Sequence, residues 1–200
     1  MDLLTPIVVI PLAWWVLSGI GGLRGRAMVA FLVVAALWIE AHGIHLAANA
    51  IGDAFPAGPE RDAFYATDAG ALDHFLDEDL SHWLWHIAWV ALSALMLLHA
   101  TWRRGWPAGA SGLGGLAAAA AGLIHGFTFF LVTAEGGTAG LGVPASIVFL
   151  GWSGLEVRRG SRHPVFTFFL VASTVTLALD VIWTVLNGGR LVEPCSVLGC

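Results

Sequence analysis

The sequence predicts an all-α membrane protein, a single bundle of about six transmembrane helices with both termini on the extracytoplasmic side. Three observations carry that expectation: the balance of apolar and charged residues, the lengths of the apolar runs, and the placement of the arginines. Of the 200 residues, 58% are hydrophobic and only 12% charged, about half the charged share of a soluble globule. A chain of this length is enough for one domain, here expected over residues 1–200.

A helix crossing a hydrocarbon core about 30 Å thick needs roughly 20 mostly apolar residues, at about 1.5 Å per residue. Six stretches qualify: Leu3 to Ile20, Met28 to Ile51, Leu80 to Trp102, Leu113 to Thr133, Leu141 to Val157 and Val165 to Leu186. The fifth is the shortest. The first lacks a basic leader and is followed by no clean small-residue cleavage site, so it is expected to be retained rather than removed as a signal peptide. The Ala117 to Ala121 run lies inside the fourth stretch, where small side chains favour close helix packing.

The chain has no lysine, and seven of its nine arginines fall in three short connections. Arg24 and Arg26 follow the first span, Arg103 and Arg104 the third, and Arg158, Arg159 and Arg162 the fifth. Short basic loops stay in the cytoplasm, so all three connections specify one orientation. The acidic connection 52–79 carries eight of the fourteen acidic residues and a single arginine, which suits the opposite side. Its charge disfavours nucleic acid and anionic headgroups as partners. The expected location is a plasma membrane such as the bacterial inner membrane, with lipid as the surrounding medium. Cys195 and Cys200 both fall in the tail, where they form either a small local disulfide or two free thiols.

Ionisable groups inside a span cost about 2.5 to 3.5 kcal/mol each on insertion scales, so they are paired, water-lined or functional. The second span carries Glu40, His42, His45 and Asn49, and the third begins with Asp77, Glu78, Asp79, Ser81, His82 and His86. The fourth holds His125 and ends at Glu135, and the sixth holds Asp180. Helical spacing puts His42, His45 and Asn49 on one stripe and Glu78, His82 and His86 on another. Glu40 points to nearly the opposite side from His42. Counting about 1.5 Å per residue, His42, His86, His125 and Asp180 lie roughly 9 to 13 Å in from the outer ends of their helices. Four helices thus bring polar groups to one level, which favours a shared site.

Histidines at i,i+3 and i,i+4 spacing with nearby carboxylates suit a transition metal. The expected ligands are drawn from His42, His45, His82, His86 and His125. Glu78, Asp79 and Asp180 are the candidate catalytic acids or bases, and Glu40, Asn49, Ser81 and Glu135 the supporting polar groups. The remaining histidines have other expected roles: His99 and His163 structural, His74 in the acidic loop. Zinc is the preferred metal, with iron or copper as alternatives. A copper relay is disfavoured because Met1, Met28 and Met96 are dispersed and both cysteines lie in the tail. A zinc ion with an open position lowers the pKa of bound water to about 7, which points to hydrolysis of a lipid or small amphipathic substrate.

His82-x-x-x-His86, with Ser81 adjacent, is similar to one motif of the alkaline ceramidase and adiponectin-receptor type of membrane hydrolase. That resemblance implies a zinc held by histidines within a helical bundle. It covers a handful of residues: the paired histidines fall on the third span rather than the last, and no Ser-x-x-x-His accompanies the second. Rival classes are a di-iron or copper oxidoreductase, a haem protein with axial histidines, and a metal or proton transporter. The transporter is disfavoured because the inner halves of the spans carry no second polar relay. A purely structural hydrogen-bonded network is the remaining alternative.

Overall fold

The computed structural model describes residues 5–102, 112–194 and 197, and the described residues form helices and connections with no strand. In chain order the helices are α1 (Thr5–Gly19), α2 (Arg26–Gly52), α3 (Pro59–Tyr65), α4 (Asp68–His74), α5 (His82–Trp102), α6 (Gly112–Glu135), α7 (Ala139–Arg158) and α8 (Pro164–Leu186). A π-helical segment, Phe75–Ser81, joins α4 to α5 without a break. Arg103, Arg104, Cys195 and Cys200 lie outside the described residues.

Five helices are long and apolar enough to cross a membrane: Arg26–Gly52, the continuous Asp68–Trp102, Gly114–Glu135, Ala139–Arg158 and Pro164–Leu186. In the first apolar stretch the described residues form a 15-residue helix, Thr5–Gly19, with Pro11 inside it. At about 1.5 Å per residue it reaches roughly 22 Å, short of the hydrocarbon thickness. The third differs in the other direction. Most of the second half of the acidic connection is helical, so α5 is extended backwards through the π-helical segment and α4 to Asp68.

The exterior is apolar. Trp15, Val29, Val33, Ile124, Val181 and Val185 are all more than half exposed, whereas Ser81, Ser146, Ser153, Thr133, Thr138 and Thr176 are buried. That inverted pattern is compatible with an integral multi-pass membrane protein, in which lipid covers the apolar faces and the interior satisfies the polar groups.

Small residues set the closest helix contact. A Cβ built on Gly122 would lie 2.7 Å from the Phe168 carbonyl oxygen, so α6 and α8 approach nearly backbone to backbone. Thr176 Oγ1 donates across that seam to the Gly126 carbonyl at 3.0 Å. Elsewhere aromatic rings fill the wider gaps: Trp38 of α2 packs on Trp89 of α5 at 5.1 Å between centroids, and Phe149 of α7 on Phe169 of α8 at 5.5 Å.

At the arginine-bearing end the polar groups are structural. His99 Nε2 is hydrogen-bonded to the Gly22 carbonyl at 3.0 Å, tying α5 to the α1–α2 connection. Trp152 Nε1 donates to Thr101 Oγ1 at 3.0 Å, and buried Glu156 meets Arg159 at 2.7 Å. His163 caps α8, its Nδ1 accepting from the Val165 amide at 3.2 Å.

Burial holds the His163 imidazole below its ordinary pKa, and the cap needs an unprotonated Nδ1. The folded state therefore binds this proton less readily than the unfolded chain. The cap's contribution is complete above about pH 6.5 and is lost as the pH falls through the depressed folded value. A cap of this kind is worth about 1 kcal/mol. His163→Asn keeps a capping oxygen without the titration, so its thermal stability should fall less between pH 7 and pH 5 than that of the wild type. Parallel curves would show that His163 does not contribute in this way.

Candidate functional site

The opposite end of the bundle, where α2 finishes and α5 begins, gathers the polar side chains. α2 runs to Gly52 with no proline inside it, which carries His42, His45 and Asn49 along one face. Facing them is the π-helical segment. Its wider turn places residues five apart on one side, so Asp77 shares a side with His82 and both face α2.

Asp77 is the hub. Its Oδ1 lies 2.7 Å from His45 Nδ1 and accepts from Asn49 Nδ2 at 3.1 Å. Asn49 Nδ2 also sits 3.1 Å from His45 Nε2. The His45 and His82 rings are 5.2 Å apart between centroids, and those of His82 and His86 6.2 Å. His82 Nδ1 is 3.9 Å from Glu78 Oε2, whose side chain is 50% exposed at the rim. His86 is fully buried and its Nδ1 shares a 2.6 Å hydrogen bond with Thr138 Oγ1 at the start of α7. Its Nε2 is buried with no hydrogen-bond partner.

The turn between α6 and α7 closes the site. A Cβ on Gly136 would stand 3.0 Å from His86 Cε1 and 3.1 Å from His82 Nδ1, so the two imidazoles rest directly against this glycine. Glu135 is the residue before it, at the end of α6.

The other expected site residues are placed as follows. His42 is buried between Trp38, on which it stacks at 6.1 Å, and Trp85, which it meets edge-to-face at 4.2 Å between ring centroids. Trp85 also stacks on His86 at 5.6 Å, so one indole stands between His42 and the deeper imidazole. Ser81 is buried and its hydroxyl donates to the Asp77 carbonyl, bracing the π-helical turn. Asp79 is exposed, as is Glu40 on the outward face of α2. Asp180 is buried with both carboxylate oxygens lacking a hydrogen-bond partner. The antiparallel pairing of Phe149 with Phe169 brings Asp180, eleven residues on in α8, level with Thr138, eleven residues back in α7. His125 lies apart, against Trp89 at 5.3 Å and Phe168 at 4.9 Å.

Asp77, Thr138 and Gly136 were not among the expected site residues. The acidic run 77–79 was visible, but an α-helical phase selects Glu78 to face His82 and His86. Among the described residues, no three His, Asp, Glu or Cys side chains converge as placed on a single metal position. Comparison with protein-family models, curated proteins and solved structures finds no match, so the chemistry is read from the side chains themselves.

Proposed function

We propose that the chain is a metal-dependent membrane enzyme, a zinc-type hydrolase acting on a lipid or small amphipathic substrate at the end of the bundle that bears His45, Asp77 and His82. The observation that carries this reading is the oriented imidazole. Thr138 is hydrogen-bonded to His86 Nδ1 and the Asp77 carboxylate lies 2.7 Å from His45 Nδ1, which would leave each Nε2 as the metal-facing nitrogen once Asn49 releases that of His45. Metal-bound histidines characteristically have such an oxygen partner on the other ring nitrogen.

The spacing supports it. With zinc about 2.1 Å from each nitrogen in tetrahedral geometry, two ligating rings have centroids roughly 5 Å apart. His45 and His82 stand at 5.2 Å and His82 and His86 at 6.2 Å, so modest ring rotations, with Asn49 releasing His45 Nε2, would bring three nitrogens to one ion. His42 is walled off by Trp38 and Trp85 and is assigned to packing, and His125 is assigned elsewhere.

A bound divalent ion would supply Lewis-acid activation of water. The chain's own groups do the rest. Glu78, half exposed and beside His82, is placed to accept a proton at the rim and return it to a leaving group. Asp77 sets a negative charge 2.7 Å from His45 Nδ1, and Trp85 with the α6–α7 turn would limit water on the inner side. Asp180, level with Thr138, is a further buried carboxyl at this end of the bundle.

In the membrane, α1 would make the sixth crossing in a locally thinned or tilted arrangement. Arg24, Arg26, Arg158, Arg159 and Arg162 would lie on the cytoplasmic side, which puts both termini and the site on the extracytoplasmic side. Elemental analysis of the purified protein, paired with hydrolysis assays on ester- and amide-linked lipids, tests the proposal. About one zinc per chain and turnover without a reductant are expected. A redox-active metal with oxygen consumption, or no bound transition metal, would overturn it.

A further inference from the structure

A second feature, separate from the histidine cluster, is a laterally open pocket of about 710 Å³ walled by α1, α2, α5, α6 and α8. That volume is in the range of small-molecule sites, generally about 300 to 1,000 Å³. Its walls are apolar side chains such as Val16, Leu92, Met96 and Phe168, and among the described residues His125 is the one acidic or basic side chain that lines it. At its rim Trp15 is 73% and Ile124 71% exposed, so the cavity opens sideways between α1 and α6, through a face that lies against lipid in a membrane.

The polar side chains of this cavity are His125, Ser93 and Thr128, with the indoles of Trp15, Trp38 and Trp89. His125 and Ser93 line it and also line a small chamber of about 10 Å³, room for one water-sized group. Ser146, Ser173 and Thr176 bring three more hydroxyls to that chamber from α7 and α8. No hydrogen bond of His125 is found among the described residues; its ring is partly exposed and packs against Trp89, Phe129, Phe168 and Phe169. A neutral imidazole can donate from one nitrogen and accept at the other, and leaving both unsatisfied in an apolar setting is costly.

We propose that this cavity is a binding site for a neutral amphipathic molecule, its long apolar chain lying between α1 and α6 and a carbonyl or hydroxyl head hydrogen-bonded to His125 beside Ser93. Among the described residues the lining holds no side chain that would offset the desolvation of a charged headgroup, which favours a neutral one. The lateral opening suits a ligand that arrives from the bilayer. The site stands independently of the metal reading, since Trp38, Trp85 and Trp89 separate it from His45 and His82.

Two sources share this head chemistry, a quinone with an alkyl tail and a monoacylglycerol, and one experiment distinguishes them. The full-length protein in phosphatidylcholine nanodiscs is photolabelled with a monoacylglycerol carrying a diazirine in its acyl chain, and labelled peptides are mapped. Label should concentrate on α1 and α6 near Leu12, Ala121 and Ile124. Ala121→Trp, which fills the rim, should lower it at least fivefold, and His125→Phe, which suits the aromatic surroundings, should weaken competition by unlabelled ligand about tenfold. Competition by a decyl-tailed benzoquinone at lower concentration than monoolein assigns the site to quinones, and the reverse order to acylglycerols. Size-exclusion profiles and circular dichroism establish that both variants remain folded. Label spread evenly over all lipid-facing helices and unchanged in Ala121→Trp would overturn the proposal. So would copy-to-copy cross-links closing the α1–α6 opening.

Discussion

Gly126→Ala should lower the stability of the bundle by about 1 to 3 kcal/mol, the usual cost of forcing a methyl group into a filled interface. The added Cβ would meet the Ala172 backbone carbonyl oxygen and stand 2.9 Å from Val175 Cβ. A backbone atom cannot rotate away, so α6 and α8 must separate. Separation also weakens the Thr176 to Gly126 hydrogen bond, a further loss of about 1 kcal/mol. Gly43→Ala is the matching control, because a Cβ there meets nothing within 4 Å. It should instead stabilise α2 by up to about 1 kcal/mol through helix propensity. Thermal unfolding in one detergent should move the two midpoints in opposite directions. A neutral Gly126→Ala would mean that α6 and α8 do not meet through this seam.

Asp77→Asn should weaken metal binding by about 10- to 100-fold, the range found when the carboxylate behind a metal-bound histidine is removed. The amide keeps the shape of the side chain but lacks the charge that lies 2.7 Å from His45 Nδ1. Asp79→Asn, two positions along and exposed, should leave affinity within about twofold of the wild type. Competition against a fluorescent zinc chelator gives both values. Equal losses in the two variants would indicate a general effect of acidic charge at the rim, and no loss in either would remove Asp77 from the site.

That contrast also shows where the sequence was legible. The membrane-spanning lengths of α2, α6, α7 and α8 follow from the apolar runs because hydrophobic length is a local property. The facing of His42, His45 and Asn49 follows from regular α-helical phase. The phase ahead of His82 does not, because Phe75–Ser81 is π-helical and turns Asp77, rather than Glu78 alone, towards the histidines. No local residue preference announces a single π turn. Thr138 and Gly136 were hidden for another reason: they act through contacts from a distant connection, and their residue types suggest only a turn. Depth counting placed His125 level with the other histidines, but level is one coordinate of three. Its direction around α6 is set by the Gly122 and Gly126 seam with α8, and it turns the ring towards Trp89 and Phe168 instead.

X-ray absorption at the zinc edge of the purified protein, with His45→Ala and His82→Ala alongside, tests most directly whether imidazoles from α2 and α5 meet at one ion. The account predicts the outer-shell scattering of about three imidazole ligands in the wild type, with zinc occupancy falling by at least tenfold in each variant. A metal-free protein, or a zinc signal with no imidazole scattering and full occupancy in both variants, would contradict it.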